Sequence, residues 1–196
     1  MVGPSIAERA PAFEAEAVMP DGTFGKLSLD QFKGKKYVIL FFYPFDFTFV
    51  CPSEIIAFHR MCSEFEKRNC QLIGCSVDSK FVHNAWRNIQ PKEGGIGKID
   101  FPLLADVSHK IATDYGVLHP DGMAFRGLFL IDKNGVLQHS VVNNLPLGRS
   151  ADEALRMLDA LQHFEQYGEV CPANWKKGEK AMKPTAEGVK EYLGSH

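Results

Sequence analysis

Apolar and polar positions along this chain alternate between short unbroken apolar runs and longer stretches with helical spacing. The run Tyr37-Val38-Ile39-Leu40-Phe41-Phe42-Tyr43 has no polar interruption, which predicts a strand buried on both faces of a sheet and stopped by Pro44. After Cys51-Pro52, the residues Ile55, Phe58, Cys62 and Phe65 recur at helical spacing, with Glu54, Arg60, Glu64 and Lys67 between them. An amphipathic helix should therefore begin near Pro52, whose missing N–H costs nothing in a first turn. Leu72 to Val77 predicts a second apolar strand and Phe81 to Ile89 a second helix, followed by the loop Glu93-Gly94-Gly95-Ile96-Gly97. Leu128 to Ile131 and Val136 to Val142 flank Asp132-Lys133-Asn134-Gly135, and the Asn-Gly pair predicts an antiparallel hairpin. Ser150-Ala151-Asp152-Glu153 reads as a capping box, after which Ala154, Leu155, Leu158 and Leu161 mark one face of a helix. From Tyr167 onward Gly, Pro and Lys replace the periodic pattern, as in an arm without a core of its own.

This order predicts an α/β fold, a mixed central sheet flanked by helices on both faces. Residues 1–165 form the expected domain and 166–196 a C-terminal arm. At 196 residues and 45% hydrophobic composition the chain can bury a full single core. Lys and Arg number 22 against 24 Asp and Glu, so bulk charge gives no reason to expect a nucleic-acid partner. No apolar run approaches a membrane span, and the acidic start with Pro4 and Pro11 does not resemble an export signal. The expected compartment is the reducing cytoplasm, where five cysteines are catalytic, redox-active or buried rather than a disulfide framework.

Two of those cysteines share a tripeptide: Val50-Cys51-Pro52 and Val170-Cys171-Pro172. Ligands gather at the carboxyl ends of strands in such sheets, and the strand ending at Tyr43 with the helix begun near Pro52 puts Cys51 there. A helix N-terminus offers unpaired N–H groups and the positive end of a dipole, which favours thiolate. A cysteine that merely packs well is the plainer alternative. For Cys62 and Cys75 that alternative holds, because both share parity with apolar neighbours, whereas Cys70 at a strand entrance should be partly exposed. Spacing among Cys62, Cys70 and Cys75 is irregular and lacks paired histidines, so no metal is expected. The Gly94–Gly97 loop does not follow a strand in a βαβ unit, and no nucleotide or other cofactor is implied. Phe41, Phe42, Phe45, Phe47 and Phe49 are read as core packing and subunit contact.

The loop Pro44-Phe45-Asp46-Phe47-Thr48-Phe49-Val50-Cys51 spells Pro-x-x-x-Thr-x-x-Cys. With GCSVDS, Gly94–Gly97, Phe125-Arg126-Gly127, Val170-Cys171-Pro172 and Asn174-Trp175-Lys176 in order, the chain resembles the typical two-cysteine peroxiredoxins over nearly its whole length. That resemblance implies a thioredoxin-like fold and reduction of hydrogen peroxide and organic hydroperoxides. It assigns Cys51 as the peroxidatic cysteine and Cys171 as the resolving one, joined by a disulfide between two chains. Thr48 would hydrogen-bond sulfur and peroxide, Arg126 would supply fixed positive charge, Pro44 would shield the thiolate, and Glu54 would orient the arginine, with Arg149 in the same network. The implied partners are a thioredoxin-like dithiol reductant and a second copy of the chain, in dimers that in the family commonly assemble into decameric rings. A redox relay or holdase role can coexist with the enzyme.

One departure concerns regulation. Members that are easily overoxidised pair a Gly-Gly-Leu-Gly loop with a Tyr-Phe ending, and this chain has Gly94-Gly95-Ile96-Gly97 and Tyr192-Leu193. In the family both segments pack over the peroxidatic helix, so losing the aromatic predicts intermediate sensitivity to sulfinic acid formation.

Overall fold

The computed structural model describes residues 3–195. Its contacts divide the chain into one unit running through Ala151 and another beginning at Asp152. The first is built on a seven-stranded mixed sheet. Its strands are β1 (Glu14–Val18), β2 (Phe24–Ser28), β3 (Tyr37–Phe42), β4 (Cys70–Ser76), β5 (Leu103–Ala105), β6 (Arg126–Ile131) and β7 (Leu137–Asn143), in the order β2-β1-β5-β4-β3-β6-β7. β3, β4 and β5 run parallel, while β1, β2, β6 and β7 join antiparallel. Every residue of β3 and β6 is buried, as the unbroken apolar sequence of β3 requires, and β6 buries the charged Arg126 along with its apolar residues. One face of the sheet closes on Phe42, Tyr115 and Phe129, whose rings meet edge-on or tilted. The other holds Phe41 stacked on Phe58 at 4.5 Å.

The helices of this unit are α1 (Cys51–Arg60), α2 (Cys62–Lys67), α3 (Lys80–Arg87) and the short α4 (Lys110–Asp114). The single helix expected over Cys51 to Lys67 is thus broken in two. Met61 leaves the helical region at φ −102°, ψ 3°, and its N–H reaches back to Phe58 O in a tightened turn. The apolar stripe survives the break, since Ile55, Phe58, Cys62 and Phe65 are all buried. The hairpin of β6 and β7 forms as expected. In its turn Gly135 takes a left-handed φ of 81°, and the Asp132 carboxylate accepts the N–H groups of Asn134 and Val136.

Strands β1, β2 and β5 and helix α4 were not visible in the apolar pattern. They are short, and their burial alternates or depends on a neighbour, as in β2, where only Leu27 is buried. The second unit contains α5 (Ala151–Tyr167), an antiparallel bridge between Val170 and Met182, and α6 (Ala186–Gly194). Thr185 caps α6 by accepting the N–H of Gly188 at 3.0 Å, yet the helix buries none of its residues. Trp175 is buried and donates its indole N–H to Glu179 O, while Arg156 donates to Trp175 O. Among the described residues, no helix is long and apolar enough to cross a membrane.

Candidate active site

Cys51 is the first residue of α1, with Pro52 beside it in the first turn. The loop from Pro44 to Val50 connects this helix to the carboxyl end of β3. β6 runs antiparallel to β3 with Phe41 opposite Leu128, so the register carries Arg126, at the start of β6, to the same end of the sheet. Two elements distant in sequence therefore deliver the thiol and the guanidinium to one place.

Arg126 Nη1 donates to Cys51 Sγ at 3.4 Å and to Glu54 Oε2 at 2.7 Å, while its Nε donates to Leu145 O at 2.6 Å. Glu54 lies one turn after Cys51 and also accepts from Arg149: backbone N–H and Nε reach Oε1 at 2.7 and 2.8 Å, and Nη2 reaches Oε2 at 2.9 Å. Arg149 is fixed further by donating to Gly127 O and by lying over the Phe41 ring. On the other side of the sulfur, Thr48 Oγ1 lies 2.9 Å from Sγ and 2.8 Å from Phe45 O. Its single proton can serve one acceptor at a time. Pro44 is buried at the start of the same loop. Cys51 itself is fully buried, and Glu54 and Arg126 are each 3% exposed.

The charges balance only when the sulfur is included. Two arginines and one carboxylate leave a buried surplus of one positive charge, and a thiolate on Cys51 cancels it. Burial pushes the Glu54 carboxyl up, but the hydrogen bonds and charge of Arg149, with the charge of Arg126, outweigh it and hold the group below the ordinary carboxylate range.

The other thiols are placed differently. Burial pushes Cys62 up to about 12 and raises Cys70 and Cys75 well above the ordinary thiol value. Cys70 is only 2% exposed, which corrects the expectation of partial exposure: the strand entrance is covered because β4 lies inside the sheet. Cys171, in the second unit, is partly exposed and its Sγ lies 3.6 Å from Ala160 O. Desolvation raises its thiol, opposed by the charge of Arg156.

Sequence reasoning missed the groups that hold the loop. Asp46 is buried and accepts from Tyr43 Oη at 2.8 Å, and its carboxylate meets His83 Nδ1 at 2.7 Å. Asp46 N–H donates to Asp78 Oδ2, and the far nitrogen of His83 faces Leu104 O. No spacing rule links residues 43, 46, 78 and 83, because the contacts depend on where α3 packs. Phe47 and Phe49 are exposed, Phe49 at 95%, so the core-packing reading applies to Phe41 and Phe42 and not to them.

A match to the model of the AhpC/TSA family covers residues 6–140. The chain belongs to the AhpC/TSA family. A second model, the C-terminal domain of 1-Cys peroxiredoxin, matches residues 160–195, the segment that contains Cys171. Family relatives include Peroxiredoxin-2 of Bos taurus, 53% identical over 192 residues covering 97% of this chain and 96% of the relative. A thioredoxin peroxidase of Echinococcus granulosus is 53% identical over 191 residues, covering 97% and 98%. The crystal structure of reduced 2-Cys peroxiredoxin from Plasmodium vivax superimposes with a TM-score of 0.95 at 55% identity, covering 97% of this chain and all of that one. The resemblance to two-cysteine peroxiredoxins and the thioredoxin-like α/β fold are thereby borne out.

Proposed function

We propose that this chain is a thiol-dependent peroxidase in which Cys51 is the peroxidatic residue. The carrying observation is the convergence of Thr48 Oγ1 and Arg126 Nη1 on Cys51 Sγ at 2.9 and 3.4 Å, in a buried site whose charge a thiolate completes. The thiolate attacks one oxygen of a hydroperoxide, hydrogen peroxide or an organic one. The S–O bond forms as the O–O bond breaks, and the leaving oxygen takes a proton to become water or alcohol, leaving sulfenic acid on Cys51. Arg126 and Thr48 stand where negative charge grows on that oxygen. Glu54 and Arg149 position Arg126, and Pro44 keeps water from the sulfur.

The thiol of Cys171 from a second copy then attacks the sulfenic sulfur, forming a disulfide and releasing water. A thioredoxin-like dithiol protein reduces that disulfide and is itself oxidised. A homodimer is the smallest complete unit. Its support lies in β7, an edge strand with Val142 half exposed, and further assembly to a decamer would use the exposed rings of Phe24 and Phe81, over which Lys80 lies. A reducing compartment such as the cytoplasm suits five free thiols. The test is peroxide consumption with a thioredoxin system by wild type, Cys51→Ser and Cys171→Ser. Both substitutions should abolish turnover with that reductant, and activity surviving Cys51→Ser would overturn the assignment.

A further inference from the structure

The turn that carries Cys171 is tied down on both sides of the sulfur. Before it, Val170 and Met182 exchange backbone hydrogen bonds at 2.8 and 3.0 Å, and after it Trp175 N–H closes the turn on Pro172 O at 3.1 Å. Trp175 is buried, and its carbonyl accepts from Arg156 Nη1 at 3.1 Å. Cys171 Sγ itself lies 3.6 Å from Ala160 O. Arg156 and Ala160 stand four positions apart on α5, so they share one face of the helix, a turn apart. The guanidinium that holds the turn therefore stands beside the sulfur that the turn carries. Glu153 shares that cation, its carboxylate oxygens accepting from Arg156 Nε and Nη2 at 2.6 and 2.7 Å. Around the same turn, Glu169 meets His163 Nε2 at 3.1 Å, and Asp159 is paired with Lys177 at 3.4 Å. Burial raises the Cys171 thiol, the charge of Arg156 pulls it back, and the charge of Glu169 adds to the rise.

We infer that Arg156 is a positioning residue for the resolving step: it holds the turn of Cys171 on α5 and keeps a fixed positive charge beside the sulfur that attacks Cys51. The inference rests on the peroxidase reading, with Cys171 as the resolving residue. Resolution needs a thiolate, because the thiol itself is a poor nucleophile. The Cys171 sulfur attacks the sulfenic sulfur of Cys51 in a second copy, and the S–S bond forms as the S–O bond breaks. The hydroxide that leaves takes up the proton that Cys171 gave up and becomes water. Cys51 has Arg126 and Thr48 against its sulfur. Cys171, in the second unit, has Arg156. Because Glu153 binds the same guanidinium, it tempers the charge that the sulfur meets.

The test makes two measurements on full-length protein. Iodoacetamide labelling of Cys171 in the reduced protein, mapped by mass spectrometry between about pH 6 and 9, reports its thiolate without any peroxide. Stopped-flow fluorescence after one equivalent of peroxide then separates oxidation of Cys51 from formation of the disulfide. Arg156→Met should move both Cys171 profiles, labelling and disulfide formation, to higher pH. At neutral pH each should slow by roughly two- to fivefold, the range a solvent-accessible charge pair supports, with Cys51 oxidation unchanged. Arg156→Lys keeps the charge and should recover most of the loss. Glu153→Gln, at an exposed position where folding is not at risk, should move both profiles the other way. A merely structural role would slow disulfide formation by one factor at every pH and leave labelling where it was. That result, a Glu153→Gln profile that coincides with wild type, or a labelling shift with no change in disulfide formation would overturn the role of Arg156. If Arg156→Met does not fold, Arg156→Lys and Glu153→Gln decide. Wild type whose Cys51 stays unoxidised by peroxide would instead overturn the peroxidase reading, which the labelling measurement does not depend on.

Discussion

Arg126 Nη1 is shared: it lies 2.7 Å from Glu54 Oε2 and 3.4 Å from Cys51 Sγ. The guanidinium therefore cannot serve the sulfur without the carboxylate that aims it. Glu54→Gln keeps the shape but leaves two buried arginines without their carboxylate countercharge. Breaking a buried pair this way should cost about 3 kcal/mol of stability, measured by urea unfolding at neutral pH, together with a loss in the rate of Cys51 oxidation.

The same carboxylate predicts an acid limb. Its pKa is lowered in the folded state, so its stabilisation is fully present above the unfolded value of about 4.3 and is lost as pH falls through the lower folded value. Wild type should lose stability relative to Glu54→Gln below roughly pH 4. Unfolding curves of the two proteins that keep a constant separation down to strongly acid pH would contradict this.

Thr48 Oγ1 stands within hydrogen-bond distance of Cys51 Sγ, at 2.9 Å. Thr48→Val retains the shape and removes the donor, and the second-order rate with peroxide should fall by about 10²–10³, the loss typical of a missing transition-state donor. Thr48→Ser should retain most of the rate. Stopped-flow fluorescence of Cys51 oxidation measures both.

Position divides the thiols: Cys51, though buried, faces Arg126 and Thr48, and Cys171 is partly exposed. Cys62, Cys70 and Cys75, whose thiols burial pushes up, should resist iodoacetamide at about pH 7.5 until denaturant exposes them. Peptide mapping should find label on Cys51 and Cys171 alone in native protein, and on all five cysteines in urea.

Leu193 lies in α6 and is 66% exposed. Leu193→Phe restores the aromatic ending and should lower the peroxide dose needed for sulfinic acid at Cys51. A dose response identical to wild type would show that the ending does not govern sensitivity here.

Much of this was legible in the letters. The unbroken apolar run of Tyr37 to Tyr43, the proline that stops it and the proline after Cys51 identify a strand-to-helix junction, because each acts locally on backbone and burial. The Pro-x-x-x-Thr-x-x-Cys spacing brings Thr48 to the sulfur within one short loop. Arg126 is 75 positions from Cys51, and motif resemblance alone assigned it; its position follows from the antiparallel register of β6 on β3, a non-local fact. Asp46 and His83 carried no signal, since the contact between them comes from where α3 packs. The break at Met61 likewise has no glycine or proline to mark it.

The central claim is that Cys51 of one chain and Cys171 of another form one disulfide. Its most direct test is non-reducing electrophoresis with peptide mapping after one equivalent of peroxide. The account predicts a covalent dimer carrying a Cys51–Cys171 crosslink in wild type, and in Cys171→Ser a monomer with one added oxygen on Cys51. A dimer that persists in Cys51→Ser, or a wild-type crosslink that maps to any other pair, would contradict it.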